Sequence, residues 1–547
     1  MQVTVPSTGS DFKLLQHFFS RKDVSVICFI LAIAIKTLLT YYFQHVGNDK
    51  LYQAMAGKNL IEGHGLTIKQ VHTSNLSKEF YEPLAGWPPG YSFLIALIYL
   101  IVNDLDAACF ILDVILLILY FIIVRKVCNQ LAFPAYLTNL TILFYGATIM
   151  PGIKSPTDFL TLVLSIYNCS LAIKIFKKEN AGFEIVQLAI FNVLPVWFRY
   201  VYLPVTFVIP AFIMWNGWLK KDKRLVKYGA FIQLIATAGT AALLKFQIPY
   251  VNIPGYVMVS ETGIFWSNLL LVHPILVSTF INIDFLVLQL QLLLGLSYST
   301  WVKIMQVISV VVLSVFLFKF LKFSFKKKWV ANTSFQTFKM IGGLTSIVIF
   351  MAIAFMSLTH NARFPDTPAN YSWTYISEGR YFVFLEFVVF IVAAKYLYDN
   401  RSQSFLLKKP LQWLILLLLT IEIFHGFYFL KKNFSYDRRN LSHIVNEKRL
   451  ISYIQNTITE QKKNNTDVVV FGKIFSNRSV LLGGKALLEP GELNGINMHA
   501  EKPTLLIAIL DTTWSSYFKP FLTKKGVTLQ KTIGSLNCFS YYIEAGQ

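Results

Sequence analysis

Apolar runs dominate the chain from residue 24 to residue 429. Thirteen can be marked, at 24–43, 91–103, 107–127, 133–150, 157–176, 184–198, 201–219, 228–245, 268–295, 301–321, 338–358, 381–398 and 410–429. A helix needs about 20 residues, at ~1.5 Å each, to cross a bilayer, so most of these runs predict spans. Two do not. Ser92–Asn103 is too short, and 268–295 is interrupted by His273-Pro274, Asn282, Asp284, Gln289 and Gln291, which suits interfacial or re-entrant helices. Glu184–Leu219 reads as two short helices joined at Arg199-Tyr200, with ends blurred by Pro195, Pro204 and Pro210.

After Leu430 the pattern changes. Arg438–Lys463 is polar and helix-like, Val468–Phe471 and Thr504–Leu510 are apolar runs of strand length, and Trp514–Lys524 is again helix-like. Val527–Ile533 and Cys538–Glu544 are further strand candidates. The fold class this predicts is a polytopic all-α membrane bundle of about 11 transmembrane helices over residues 1–430, with juxtamembrane helices in its outer loops. A small α/β domain with a mixed sheet follows over 431–547.

Composition narrows the class. With 55% apolar and 14% charged residues, a soluble globular chain, a disordered chain and a fibrous repeat are excluded. The net charge of +21 could suggest nucleic acid, but its distribution records orientation instead. With eleven spans and a cytoplasmic N-terminus, inner loops collect 23 Lys/Arg and outer loops 10. If all thirteen runs crossed, ten basic residues between Arg125 and Lys227 would move outside, against the positive-inside rule. No nucleic-acid partner is expected; the bilayer is. The five cysteines lie far apart, with no CxxC spacing, and read as small buried apolar residues.

Eleven spans place long loops outside, at 44–106, 246–300 and 359–380, and so point to chemistry on that face. The first apolar run starts after Asp23, is span-length and lacks a small-residue cleavage site, so it reads as a signal anchor. The C-terminal domain, after an odd number of spans, is expected outside the cytoplasm, over the outer loops, in a plasma (inner) membrane.

Candidate chemistry gathers in the first outer loop. Asp49 stands six residues beyond a span, at the start of an amphipathic segment running to Glu62-Gly63-His64-Gly65. It reads as a helix N-cap or as a general base whose basicity partial desolvation would raise. Phe80-Tyr81-Glu82-Pro83 and Trp87-Pro88-Pro89-Gly90-Tyr91 then lead into the short apolar helix. This order of features resembles the first outer loop of GT-C-type glycosyltransferases. More closely it resembles the branch holding protein mannosyltransferases and the aminoarabinose transferase of lipid A.

The resemblance covers most of the chain as topology and short motifs. It implies a polyprenyl-phosphate-linked sugar donor, an acceptor hydroxyl on protein, lipid or glycan, and Asp49 at the catalytic acidic position. Tyr145–Asp158 resembles the family's second acidic outer loop, with Asp158 at the matching position. Glu82 matches an acidic residue that contributes to a metal site in the lipid A enzyme. A divalent metal is therefore left open, but no convincing partner histidine is present, His273 being the nearest candidate. Glu378-Gly379-Arg380-Tyr381 resembles the Arg-Tyr pair that begins a late helix in many of these enzymes. The leaving lipid phosphate needs cations in water-poor surroundings, and Arg199, Arg380, Arg363 and Lys154 are the outer-face candidates, with Tyr381 beside Arg380. Arg380 and Arg199 read also as snorkelling interface residues, and an ordinary loop charge is the better account of Lys154 and of Arg363.

Lys36, Asp113, Glu386 and Glu422 sit within spans, where charge is a functional hypothesis by default, although pairing near helix ends serves as well. Two other function classes stand beside the enzyme. A flippase for lipid-linked sugars would use such charges and show repeated halves, and no repeat is visible. A non-catalytic membrane subunit of a glycan assembly complex would use the C-terminal domain to bind a partner. No GxxxxGK[ST] motif occurs, which argues against ATP-driven transport by this chain alone.

Overall fold

The computed structural model describes residues 16–42, 48–84 except 73, 87–146, 156–177, 181–247, 333–359, 383–399, 443–472, 479–487 except 481, 499–511, 528–533 and 536–545, with isolated residues at 294, 295 and 311. The chain divides into two compact units. One comprises Met1–Leu38, Val114–Gly152 and Pro156–Tyr428; the other comprises Leu39–Asp113, Ile153–Ser155 and Phe429–Gln547.

Helices make up the described part of the first unit. They are most of α1 (Lys22–Tyr42), the later turns of α4 (Leu105–Gln130), the short α5 (Ala135–Leu140) continued by a π-helical turn at Thr141–Gly146, and α6 (Pro156–Lys177). Then come α7 (Gly182–Phe198), two 3₁₀ turns at Tyr200–Tyr202 and Pro204–Phe207, α8 (Val208–Leu219), α9 (Lys223–Gln247), α10 (Ser334–Thr359) and α11 (Val383–Asp399). Among the described residues, five stretches are long and apolar enough to cross a membrane: Leu105–Gln130, Pro156–Lys177, Tyr200–Leu219, Lys223–Phe246 and Ser334–Phe355. They mark the chain as a membrane protein. The runs expected at 301–321 and 410–429, and nearly all of 268–295, lie outside the described residues.

Helix α6 is enclosed on nearly every side, and its polar Thr157, Asp158, Thr161, Ser165 and Asn168 are all buried. Its neighbours pack through small residues, as membrane helices do where no water drives association. A Cβ on Gly239 of α9 would lie 2.4 Å from Val193 Cγ1 of α7, and one on Gly229 would lie 2.8 Å from the Pro210 carbonyl of α8. The proline-rich segment 195–210 resolves into short helices and 3₁₀ turns, because proline withholds an N–H from the helical ladder. Asn192 donates its side-chain amide to the Thr206 carbonyl and ties α7 to the second of those turns. Asn139 at α5 donates to the Phe19 carbonyl (2.7 Å) and accepts from Ser25 Oγ (2.9 Å), which fixes the start of α1.

The second unit joins the first loop to the C-terminal region. After α1 come α2 (Asn48–Ile61), strands β1 (Thr67–His72) and β2 (Asn75–Pro83), and α3 (Gly90–Val102). The C-terminal part contributes α12 (His443–Lys463), β3 (Asp467–Phe471), β4 (Lys485–Leu487), β5 (Thr504–Asp511), β6 (Thr528–Ile533) and β7 (Leu536–Ile543). The last five strands form one sheet in the order β4-β3-β5-β7-β6, parallel across β4-β3-β5 and antiparallel beyond, the mixed sheet that the pattern predicts. The helix expected at Trp514–Lys524 lies outside the described residues.

Alternation along β3 and β5 explains their uninterrupted apolar runs. Val468, Val470, Ile507 and Ile509 face Leu450, Ile454 and Ile458, which recur every four residues along α12. Val469, Phe471, Leu506, Ala508 and Leu510 share the opposite core with Val71 and Leu76 of the β1–β2 hairpin. A strand buried on both faces needs apolar residues at every position. The hairpin, which the sequence reading does not anticipate, is thus the lid on one face of the sheet. Polar contacts lock it there. Leu76 N–H donates to the His499 carbonyl (3.0 Å), and Asn75 donates to Glu501 (2.9 Å). Ser77 Oγ accepts from the Glu501 and Lys502 N–H groups (2.8 and 3.2 Å), and Lys485 donates to the Ser77 carbonyl (3.2 Å).

Candidate functional site

Asp158 lies in the first turn of α6, where exposed N–H groups favour a carboxylate, and Arg199 follows the end of α7. A helical hairpin brings the two together. Arg199 Nη2 donates to Asp158 Oδ2 at 2.7 Å, with both side chains buried, 10% and 3% exposed. By sequence these residues have separate roles; the fold makes them one ion pair. Around them lie groups that the sequence reading does not single out. The Tyr202 side chain, on the 3₁₀ turn after Arg199, sits against Thr161 and Ser165 of α6 and within electrostatic reach of the ion pair. Asp158, Thr161 and Ser165 recur at i, i+3 and i+7, one face of a helix, and that spacing is the signal that could have exposed the cluster.

Asp49 falls in the first turn of α2, and its side chain is outside what is described. Its neighbour Lys50 is buried and donates to Asp113 of α4, so that the first turn of α2 is pinned to α4. Asp113, a lone charge in an apolar run, therefore has a partner, and Tyr91 of α3 lies close enough to feel its charge. Helix α2 also packs closely on α3: a Cβ on Gly57 would lie 2.6 Å from the Ser92 carbonyl and 3.2 Å from Ala96 N.

Glu82 sits on β2 and accepts from Gln70 Nε2 across the hairpin. Among the described residues no three His, Cys, Asp or Glu side chains gather as a metal site would require. Lys154, Arg363, Arg380 and Tyr381, together with His273, fall outside the described residues. In the first unit, Lys36 of α1 is buried (1% exposed) within the field of Glu386 of α11, which also reaches Tyr120 of α4.

A buried arginine fixed by a carboxylate is a preorganised cation. In a water-poor site its planar guanidinium suits phosphate oxygens, and neighbouring hydroxyls can donate or accept as charge shifts. No protein-family model matches the sequence, and none of the curated proteins searched is detectably similar to it.

Proposed function

We propose that the chain is a GT-C-type glycosyltransferase that moves a sugar from a polyprenyl-phosphate-linked donor to an acceptor hydroxyl at the outer face of the membrane. The observation that carries this reading is the buried Asp158–Arg199 pair at 2.7 Å, a cation held in place at the head of an apolar helix. In this reading Arg199 holds the donor phosphate, together with Arg380, Arg363, Lys154 and Tyr381, and Asp158 positions Arg199. Asp49 takes the acceptor's proton as the acceptor oxygen bonds to the anomeric carbon. The carbon–oxygen bond to phosphate breaks with inversion, and polyprenyl phosphate leaves with the electron pair. The pinning of α2 through Lys50 and Asp113 supports a fixed place for Asp49.

The test uses the purified full-length protein and a panel of polyprenyl-phosphate-linked hexoses and pentoses. At least one donor is expected to yield polyprenyl phosphate, and Asp49→Asn to abolish the release with an unchanged melting temperature. Full activity in that variant refutes the base assignment. Reporter fusions after Lys220 and after Leu430 check the topology, and an outward signal at the first refutes eleven spans.

A flippase for lipid-linked sugars is the second reading, favoured by buried Lys36 beside Glu386. It requires translocation of the intact lipid in proteoliposomes, without release of phosphate, and loss of translocation in Lys36→Met.

A further inference from the structure

The second unit contains a cavity of about 190 Å³ between α2, the β1–β2 hairpin and the C-terminal sheet and helix. Its walls carry four lysines and three carboxylates, one positive charge in excess. Three lysines are neutralised locally: Lys58 by Glu62 (2.5 Å), Lys69 by Glu79 (2.8 Å) and Lys485 by Asp467 (2.7 Å). The ammonium of the fourth, Lys462 in the last turn of α12, makes no hydrogen bond or ion pair among the described residues.

The Lys462 ammonium lies against a glycine-closed turn. At residues 479–480 and 482–484 the chain turns tightly, with Gly484 N–H donating to the Ser479 carbonyl (2.7 Å) and Gly483 N–H to the Val480 carbonyl (3.1 Å). Gly483 closes the turn at φ +83°, a left-handed conformation that side chains rarely adopt. A Cβ there would lie 2.3 Å from Lys462 Nζ, so the missing side chain is the space in which the ammonium lies. Tyr81 adds an aromatic wall and is held by stacking on His64, with ring centroids 3.9 Å apart and planes 14° apart.

We propose that this cavity binds a single sugar ring bearing one carboxylate or phosphate, its anion on Lys462, its hydroxyls on the paired carboxylates and its ring against Tyr81. A cavity of about 190 Å³ has room for one sugar ring. Carboxylates engaged by lysine retain lone pairs for hydroxyl donors, whereas a neutral sugar would leave Lys462 without its charge-assisted bond. The site involves no transfer chemistry and does not depend on Asp49 or on the glycosyltransferase reading.

The test is ligand-observed NMR on the full chain in detergent, without lipid donor, using glucuronate, glucose 6-phosphate, glucose and inorganic phosphate as probes. One or both acidic sugars are expected to bind with a Kd of about 1 mM or below, and glucose about tenfold more weakly. Stronger binding of glucuronate or of glucose 6-phosphate assigns the anion as carboxylate or phosphate. Lys462→Met should remove the preference for the acidic sugar, and Lys462→Arg should retain it, both with unchanged melting because the side chain is exposed. Equal binding of glucose, inorganic phosphate binding as tightly as glucose 6-phosphate, no binding of either acid, or insensitivity to Lys462→Met would each overturn the proposal.

Discussion

Expressed alone, residues 431–547 should not fold, although they carry a complete five-stranded sheet and its helix. Removing the hairpin takes away Val71 and Leu76, 1% and 0% exposed, and bares Val469, Phe471 and Leu506 of the sheet. Burying each of the two lost side chains contributes about 1.5–3 kcal/mol. Five hydrogen bonds between the hairpin and residues 485–502 go with them, each worth about 0.5–1.5 kcal/mol. The combined loss of roughly 6–13 kcal/mol matches the whole stability of an ordinary domain, about 5–15 kcal/mol. Circular dichroism and thermal melting of two soluble fragments, 431–547 alone and the same segment fused through a flexible linker to 66–84, measure the effect. The fused fragment should melt cooperatively and the shorter one should not. Equal cooperative melting of both would show that the hairpin merely rests on the sheet, and the energetic reasoning would fail.

Breaking the buried pair by Asp158→Ala or Arg199→Ala should each cost about 3–5 kcal/mol, because a charge is stranded. The double variant should lose less than the sum, as read from a double-mutant cycle on unfolding in detergent; strict additivity would mean the groups do not interact. Gly57→Val should destabilise by about 1–3 kcal/mol by forcing α2 from α3, seen as a lower melting temperature, while the same change at Gly343, where an added Cβ meets nothing within 4 Å, should lower it less. Lys50→Met should destabilise more than the double change Lys50→Met with Asp113→Leu, since the second substitution removes the orphaned carboxylate. The reverse order of melting temperatures would contradict the pairing.

Several elements were legible because their cause is local. The run Val468–Phe471 announces a strand buried on both faces, and Pro88-Pro89-Gly90 announces the start of the short helix at Gly90. The β1–β2 hairpin was not legible, because half its residues are polar and its apolar ones find their partners about four hundred positions later. TIKQVH is a plain mixed segment until Val469 and Phe471 lie beneath it. Asp158 and Arg199 were each visible as charges at helix ends, but their pairing depends on how α7 packs back along α6, which no spacing rule reports. Lys462 left no trace at all, since its distinction is a glycine twenty-one residues away. The resemblance that directed attention to Asp49 came from the order of motifs, and physical pattern alone left it equally a helix cap.

The lock between Asn75 and Glu501 spans 426 residues of chain. At roughly 5–20 residues per second of synthesis, the hairpin exists for about 20–85 s before the strands that cover its apolar side are made. During that interval Val71 and Leu76 are a surface that any chaperone or neighbouring chain can occupy, and termination before β3 leaves them without the sheet that covers them. The state of the first loop therefore reports whether synthesis has reached the strands that cover it.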